Sequence, residues 1–235
     1  MANVVGTEET ANPVKSGAVV YLMHGDSAGR ECLRQLLTTS ALDVVSFKSA
    51  REYFQYRRTD SAACLILDLR LPDADGLELQ QELSREGGPP IVFVTDHRDI
   101  ACTVRAMKAG AIEFFTKPVD AEALLAAIEA AFIEDQRLRD RNARLTTLQQ
   151  RFNRLTPRER EVFPLVISGL RNKQAAWKLG ISQVTLQVHR GQIMRKMLAT
   201  SFAELVRMGD QLNVGGPTFT PRLRRAPIEG GLALA

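Results

Sequence analysis

The sequence predicts an α/β part built on a five-stranded parallel sheet, then a helical linker, then a small all-α part of four helices. Three observations predict this order. Between Gly17 and Glu134 short apolar runs alternate with helical stretches, the pattern of a parallel sheet covered on both faces. From Glu134 the composition turns charged, with leucines at helical spacing. Beyond Leu155, capping signals mark off short amphipathic helices, two of them joined at Gly180. The expected organisation is a disordered leader over 1–16, an α/β domain over 17–134, a linker over 135–154, a helical domain over 155–214 and a flexible basic tail over 215–235.

In the α/β part, strands are expected at 18–23, 44–47, 63–67, 91–94 and 111–115. Helices are expected around 30–39 and 49–57, between the later strands, and after Asp120. A sheet of this kind places its ligand site at the carboxyl ends of the strands, near a topological switch point. Asp68, Thr95 and Lys117 come after the third, fourth and fifth strands. A carboxylate, a hydroxyl and an ammonium converging there can accept a phosphoryl group, with Thr95 and Lys117 holding its oxygens.

In the linker, Leu138, Leu145 and Phe152 are spaced by sevens, and Leu148 and Leu155 take the other apolar position of the same heptads, with Arg141 interrupting them. The run suits either pairing with a second copy or one helix packing on a domain. Next, Thr156-Pro157-Arg158-Glu159 is a capping box with Pro at the first helical position, so a helix starts there and runs to about Gly169. Pro164 inside it predicts a kink or a 3₁₀ turn. Asn172 to Met197 reads as two helices with a left-handed turn at Gly180 and an N-cap at Ser182. In the second of them Leu186, Ile193 and Met197 share one face, while Val184, Gln187, Val188, Gly191 and Arg195 share the opposite one. That second face is narrow, polar and basic enough to enter a major groove. His189 falls nearer the buried face and is expected to pack or hydrogen-bond. Ser201 caps a fourth helix reaching Met208.

Charge divides the chain. Residues 1–133 carry a net −6, residues 134–150 a net +1 and residues 151–235 a net +9. The basic part coincides with the helix-turn-helix, as an electrostatic footprint for phosphate should. Cys32, Cys64 and Cys102 have neither disulfide nor metal spacing and are expected as small core residues. No apolar run is long enough to span a bilayer, and residues 1–17 lack the order of a signal peptide, so the expectation is a soluble cytoplasmic protein without membrane contact.

The run Leu155-Thr156-Pro157-Arg158-Glu159-Arg160-Glu161-Val162, then Gly169-Leu170, Asn172-Lys173, Ala176, Leu179-Gly180-Ile181-Ser182, Thr185 and Val188-His189-Arg190, resembles the LuxR-type four-helix DNA-binding domain. The α/β part, through Leu67-Asp68-Leu69-Arg70-Leu71-Pro72-Asp73-Ala74-Asp75-Gly76, Gly110-Ala111 and Lys117-Pro118, resembles the flavodoxin-like receiver domain of two-component response regulators. Together they point to the NarL/FixJ class. The resemblance implies Asp68 as phosphoacceptor, Thr95, Phe114 and Lys117 as switch positions, double-stranded DNA as ligand, a homodimer, and a sensor histidine kinase as partner. It also implies DNA contacts at Lys173, Thr185, Gln187, Val188, Arg190, Gly191, Arg195 and Lys196. Of these, Gln187, Val188 and Gly191 face the groove, and Lys173, Arg190, Arg195 and Lys196 are candidates for phosphate contacts.

One departure stands out. Receivers normally place an acidic pair after the first strand to hold Mg²⁺ with the phosphoacceptor, and here His24 and Gly25 occupy those positions, with Asp26 one residue further on. Mg²⁺ prefers oxygen ligands in octahedral geometry, so the expectation is a damaged metal site, with only Asp26 and Asp68 left to serve it, no resident cofactor and slow phosphorylation. Three readings are open: a DNA-binding regulator acting without phosphate or nearly so, a conventional regulator switched at Asp68, and an interaction module that sequesters a kinase or another regulator. An enzyme is not expected, because Arg70 stands two positions after Asp68 where a phosphoaspartyl enzyme needs an acid.

Overall fold

A computed structural model describes residues 17–97 and 99–214. The leader and the tail anticipated from the sequence lie outside the described residues. The chain divides into two compact units, the first ending at Arg139 and the second beginning at Asp140.

The first unit alternates β1 (Val19–Met23), α1 (Ser27–Thr39), β2 (Asp43–Phe47), α2 (Ala50–Gln55), β3 (Ala63–Leu67), α3 (Gly76–Arg85), β4 (Ile91–Thr95), α4 (Ile100–Lys108) and β5 (Glu113–Thr116), and then enters α5 (Ala121–Asn153). The strands form one parallel sheet in the order β2-β1-β3-β4-β5. Every residue of β3 and β4 is buried, as continuous apolar runs require when helices cover both faces. Tyr21, Leu65 and Phe93 lie in the core on one side, and Val20, Leu22, Ile66 and Val92 in the core on the other, with Leu124 and Ile128 of α5. Each such side chain, fully buried, contributes about 1.5–3 kcal/mol.

Four expectations are corrected. Helix α1 starts at Ser27 rather than near Arg30, because Asp26 is its N-cap and accepts the Gly29 N–H at 2.6 Å. Strand β5 starts at Glu113: Ala111 closes the end of α4 by donating to the Ala106 carbonyl, and its apolar side chain is buried there outside any strand. Of the cysteines only Cys64 is buried; Cys102 is half-buried and Cys32 exposed on α1. Finally, the stretch anticipated as a separate linker helix is continuous with the helix after Asp120, forming the single 33-residue α5.

The Leu71–Gly76 loop is fixed by its polar residues. Asp73 accepts the N–H groups of Ala50 and Arg51, both at 3.0 Å, and so caps α2 from across the loop. Asp75 caps α3 through Leu77 and Glu78. At Gly76 a Cβ would sit 2.5 Å from the Asp68 carbonyl oxygen, so only glycine lets α3 start this close to the end of β3.

The second unit comprises the last turns of α5, then α6 (Pro157–Ile167), α7 (Asn172–Leu179), α8 (Gln183–Met197) and α9 (Phe202–Gln211). Thr156 and Glu159 complete the capping box, and Gly180 ends α7 in the left-handed conformation, φ 64°. Pro164 produces no 3₁₀ turn: α6 continues through it, with the Ser168 N–H bonded to the Pro164 carbonyl. Val162, Phe163 and Val166 hold that helix in the core, and Arg160, whose carbonyl loses the amide partner that proline lacks, is exposed. Leu148, Phe152 and Leu155 pack on the same core, so the linker heptads serve the chain's own second unit at that end.

One buried carboxylate fastens α5 to the first unit. Asp135 accepts the Ala63 N–H at the start of β3 (2.9 Å) and the Arg139 Nε–H (2.6 Å), and Arg139 also reaches Asp60 at 2.8 Å. Asp135→Ala leaves the Ala63 N–H without its partner and removes the charge facing Arg139. The expected result is a loss of about 1.5–3 kcal/mol, read as a lower urea midpoint for the first unit with the slope of the transition unchanged.

Candidate functional site

The strand ends bring together the residues that the sequence placed there. β1, β3, β4 and β5 are successive neighbours in the sheet, so the segments leaving adjacent strands meet at its carboxyl edge. Asp68 is buried, with its N–H bonded to the Met23 carbonyl. Thr95 is fully buried, and its Oγ1 accepts the His97 N–H at 3.3 Å. The Lys117 N–H donates to the Thr95 carbonyl, and a cis peptide bond joins Lys117 to Pro118. Phe114 is half-buried on β5, its ring 5.7 Å from that of Phe93. An open cleft of about 360 Å³ lies over these ends, bordered by Gly25, Asp68, Arg70 and Thr95.

His24 occupies the centre of the arrangement. Its side chain is 1% exposed, and its Nε2 lies 3.5 Å from Asp68 Oδ2 and 2.7 Å from Lys117 Nζ. Nδ1 lies 3.1 Å from the Asp26 carbonyl, which can only accept; the proton is therefore assigned to Nδ1, and Nε2 accepts from Lys117. Lys117 reaches Asp96 at 3.1 Å as well. Two more residues support the imidazole. Arg30 donates to the His24 carbonyl at 2.7 Å, and at Gly29 a Cβ would meet His24 Cε1 at 2.7 Å and Lys117 Nζ at 2.9 Å. The Asp26 carboxylate is committed to capping α1, and the Gly29 N–H holds it below the usual carboxylate range. Sequence reasoning missed Gly29, Arg30 and Asp96. Asp96, adjacent to Thr95 at a strand end, carried the only usable signal.

In the second unit the predicted groove face is on the surface. Val184, Thr185, Gln187, Val188, Gly191 and Arg195 are exposed along α8, and Lys173 is exposed near the start of α7. Thr185 also closes the N-terminus of α8, with its hydroxyl 2.9 Å from that of Ser182. Arg195 donates to Gln192 of its own helix at 2.6 Å. Two of the anticipated phosphate contacts, Arg190 and Lys196, also have tertiary partners. Arg190 donates to Asn172 Oδ1 at 2.5 Å and lies over the Phe202 ring at 4.9 Å, tying α8 to α7 and α9. Lys196 reaches the buried Glu159 at 2.6 Å, joining α8 to the capping box of α6. Neither pairing leaves a local signature, because both link helices far apart along the chain. His189 is half-buried, between the two faces.

A parallel sheet with Asp, Thr and Lys at its strand ends, succeeded by a capped helix-turn-helix with an exposed basic face, defines a two-part regulator: a signal-receiving domain and a DNA-binding domain. Residues 20–129 match the response regulator receiver domain and residues 153–209 the bacterial regulatory proteins of the luxR family. The chain is 42% identical over 198 residues to Nodulation protein W of Bradyrhizobium diazoefficiens, covering 84% of this chain and 87% of that protein. It is 40% identical over 196 residues to the response regulator protein TodT of Pseudomonas putida, covering 83% and 86%. Among solved structures, the response regulator StyR aligns with a TM-score of 0.66 at 43% identity, covering 83% of this chain and 100% of that one. Full-length FixJ from B. japonicum aligns with a TM-score of 0.50 at 34% identity, covering 84% and 98%. The chain belongs to the response regulators that join a receiver to a LuxR-type DNA-binding domain, the family of NodW and FixJ.

The helical unit can be tested at its platform and at its groove face. Glu159 is buried, which alone raises a carboxyl's pKa, but the Lys196 ammonium and the Thr156 N–H outweigh that and hold it below its ordinary 4.5. Because the folded value is depressed, the stability from ionised Glu159 is complete above about 4.5 and is lost as pH falls through the folded value. Lys196→Met is expected to cost about 1.5–3 kcal/mol near neutral pH and to remove much of that acid dependence, both read from urea unfolding across pH. On the groove face, Gln187→Ala is expected to lose discrimination by about 1–3 kcal/mol at one base pair, whereas Arg195→Ala weakens operator and random DNA alike. Competition binding against both DNAs separates the two, and equal losses for Gln187→Ala would remove it from the base-reading set.

Proposed function

We propose that the chain is a cytoplasmic, dimeric, sequence-specific DNA-binding transcription regulator and not an enzyme, whose receiver depends little or not at all on Mg²⁺-supported phosphorylation of Asp68. Regulation of transcription is the role that its relative, the transcriptional regulatory protein FixJ, carries in its name. The exposed face of α8 supports DNA as the ligand, and paired half-sites favour a dimer.

The observation that carries the receiver reading is His24. Mg²⁺ takes six oxygen ligands near 2.1 Å and rarely accepts nitrogen. At the end of β1 the chain offers an imidazole already bonded to Lys117, a glycine with no side chain, and an Asp26 carboxylate engaged by the Gly29 N–H. Asp68 lies beside the imidazole, while Asp26, which caps α1, and Asp96, which bonds Lys117, border the same cleft. This donor set does not fit Mg²⁺, and phosphoryl transfer supported by that ion has no complete set of ligands at these strand ends.

The second reading, a conventional switch served by a sensor histidine kinase, is favoured by one fact: Asp68, Thr95 and Lys117 are all in place at the strand ends. Operator binding by the full-length protein and by Asp68→Asn, each with and without Mg²⁺ and acetyl phosphate, decides between the two. Equal affinities across all conditions are expected. A rise in wild-type affinity and dimerisation with donor and Mg²⁺, absent in the Asn variant, would establish the conventional switch.

A further inference from the structure

The exposed face of α8 carries two features that the protein's own packing does not use. We propose that α8 reads an A·T-rich half-site by lying against the groove floor at Gly191, so that Val184 and Val188 each cover a thymine methyl group beside an adenine taken by Gln187. This deepens the proposed function and rests on its reading of the chain as a sequence-specific DNA-binding regulator.

Gly191 is the first feature. It lies inside the 15-residue α8, with helical backbone, where glycine is less favourable than alanine. A Cβ there would meet no atom of the described residues within 4 Å beyond the helix's own backbone. Neither packing nor backbone conformation therefore calls for glycine at this position. A missing side chain on an exposed helix face does serve one purpose, the close approach of backbone to a ligand.

The valines are the second feature. Val184 is 71% exposed and Val188 58%. They stand four residues apart, with Gly191 three further on, so the three share one line along the helix. A single exposed aliphatic side chain is ordinary on a protein surface, but two in succession on the stripe that bears Gln187 serve no core. Valine in a helix keeps essentially one χ1 rotamer, so little side-chain freedom is lost when such a surface is covered. Apolar contact with the C5-methyl group is how an aliphatic side chain tells thymine from other bases in the major groove. Side chains at this spacing stand about 5–6 Å apart, and successive bases of a strand about 3.4 Å, so the pair spans one to two base-pair steps.

Charge points to the same bases. From Val162 to Ala203 the chain has neither Asp nor Glu. Nothing on α8 repels phosphate, and no carboxylate there can accept from the cytosine amino group. Gln187 follows Val184 by three residues and precedes Val188, and its amide matches the paired donor and acceptor of adenine, whose complement is thymine.

The test uses the full-length protein. Duplexes bound from a random pool are sequenced, and affinity for the selected operator is measured with each thymine of the half-site, on either strand, replaced in turn by uracil, which lacks only the methyl group. Expected are two thymines within about two base-pair steps and a loss of about fourfold for either uracil, the worth of one buried methyl group. One of these losses is expected to vanish in Val184→Ala and the other in Val188→Ala, as coupling between contacting groups requires. Gly191→Ala is expected to raise the urea midpoint, because alanine suits a helix better, and yet to weaken operator binding about tenfold, because the added methyl holds the helix off the groove. A merely structural glycine would not separate those two readouts. Uracil tolerated at every position, losses undiminished in both alanine variants, or full operator affinity in Gly191→Ala overturns the inference while the DNA-binding reading stands. The absence of any enriched sequence overturns both.

Discussion

A strand covered on both faces has little room for polar side chains before its end, and β3 and β4 are built under that constraint. A hydroxyl or amide buried without a partner costs a few kcal/mol, and a charge more. β3 and β4 accordingly run five buried residues each, and the chemistry waits until the strands stop: Asp68 directly after β3, Thr95 as the last residue of β4, and His24 directly after β1. The strand order adds the second half of the effect. After β2 the chain returns across β1 to β3, so the progression reverses direction there and a crevice opens between the ends of β1 and β3. His24 and Asp68 are the two residues facing each other across it. An imidazole at the end of β1 therefore sits at the centre of the site without entering the sheet.

The DNA-binding unit shows the opposite arrangement, a small core that draws on charge for its tertiary structure. Its helices are short, and each begins at a cap whose side chain or neighbour is polar. Glu159 both completes the capping box of α6 and pairs with Lys196 of α8; Arg190 joins α7 and α9 to α8. These contacts set how far α8 protrudes and hold it there. Basic residues of α8 therefore differ in their surroundings. Arg195 lies on the exposed stripe with Gln187 and Gly191, whereas Arg190 and Lys196 are half-buried beside that stripe.

Much of this was legible in the sequence because it depends on local chemistry. The β3 run, the Thr156–Glu159 box, the left-handed Gly180 and the Ser182 and Ser201 caps are properties of a few adjacent residues, and each stands where the sequence put it. The departures come from capping and packing contacts that the apolar pattern does not encode. Ala111 and Ile112 look like the start of a strand, yet the Ala111 N–H closes α4. Helix α1 starts earlier than its apolar pattern suggests, because Asp26 caps it. Pro164 predicts a kink or a 3₁₀ turn; no 3₁₀ turn forms, and the apolar residues around it pack that helix on the core. At the site, Asp68, Thr95 and Lys117 were legible from their place after apolar runs, but the bond from Lys117 to His24 spans most of the receiver and no local pattern encodes it.

Helix α5 obeys the same logic on a larger scale. Its leucine spacing is that of a coiled coil, but the structure divides the stripe between two obligations. Leu124, Ala127, Ile128 and Ala131 are buried in the receiver core, and Leu148 and Phe152 pack in the core of the second unit. Leu138, 36% exposed, and the half-buried Leu145 are the heptad leucines left between those cores. Two apolar positions are too few to form a long apolar seam between the cores. The charged stretch between the cores would be a marginal helix if it had to nucleate by itself. With Asp135 and the apolar residues before it fixed on the receiver, and Leu148 fixed on the second unit, the turns between need only propagate, at a small cost per residue compared with starting a helix anew. That is why a run rich in arginine and polar residues, with no core of its own, remains helical.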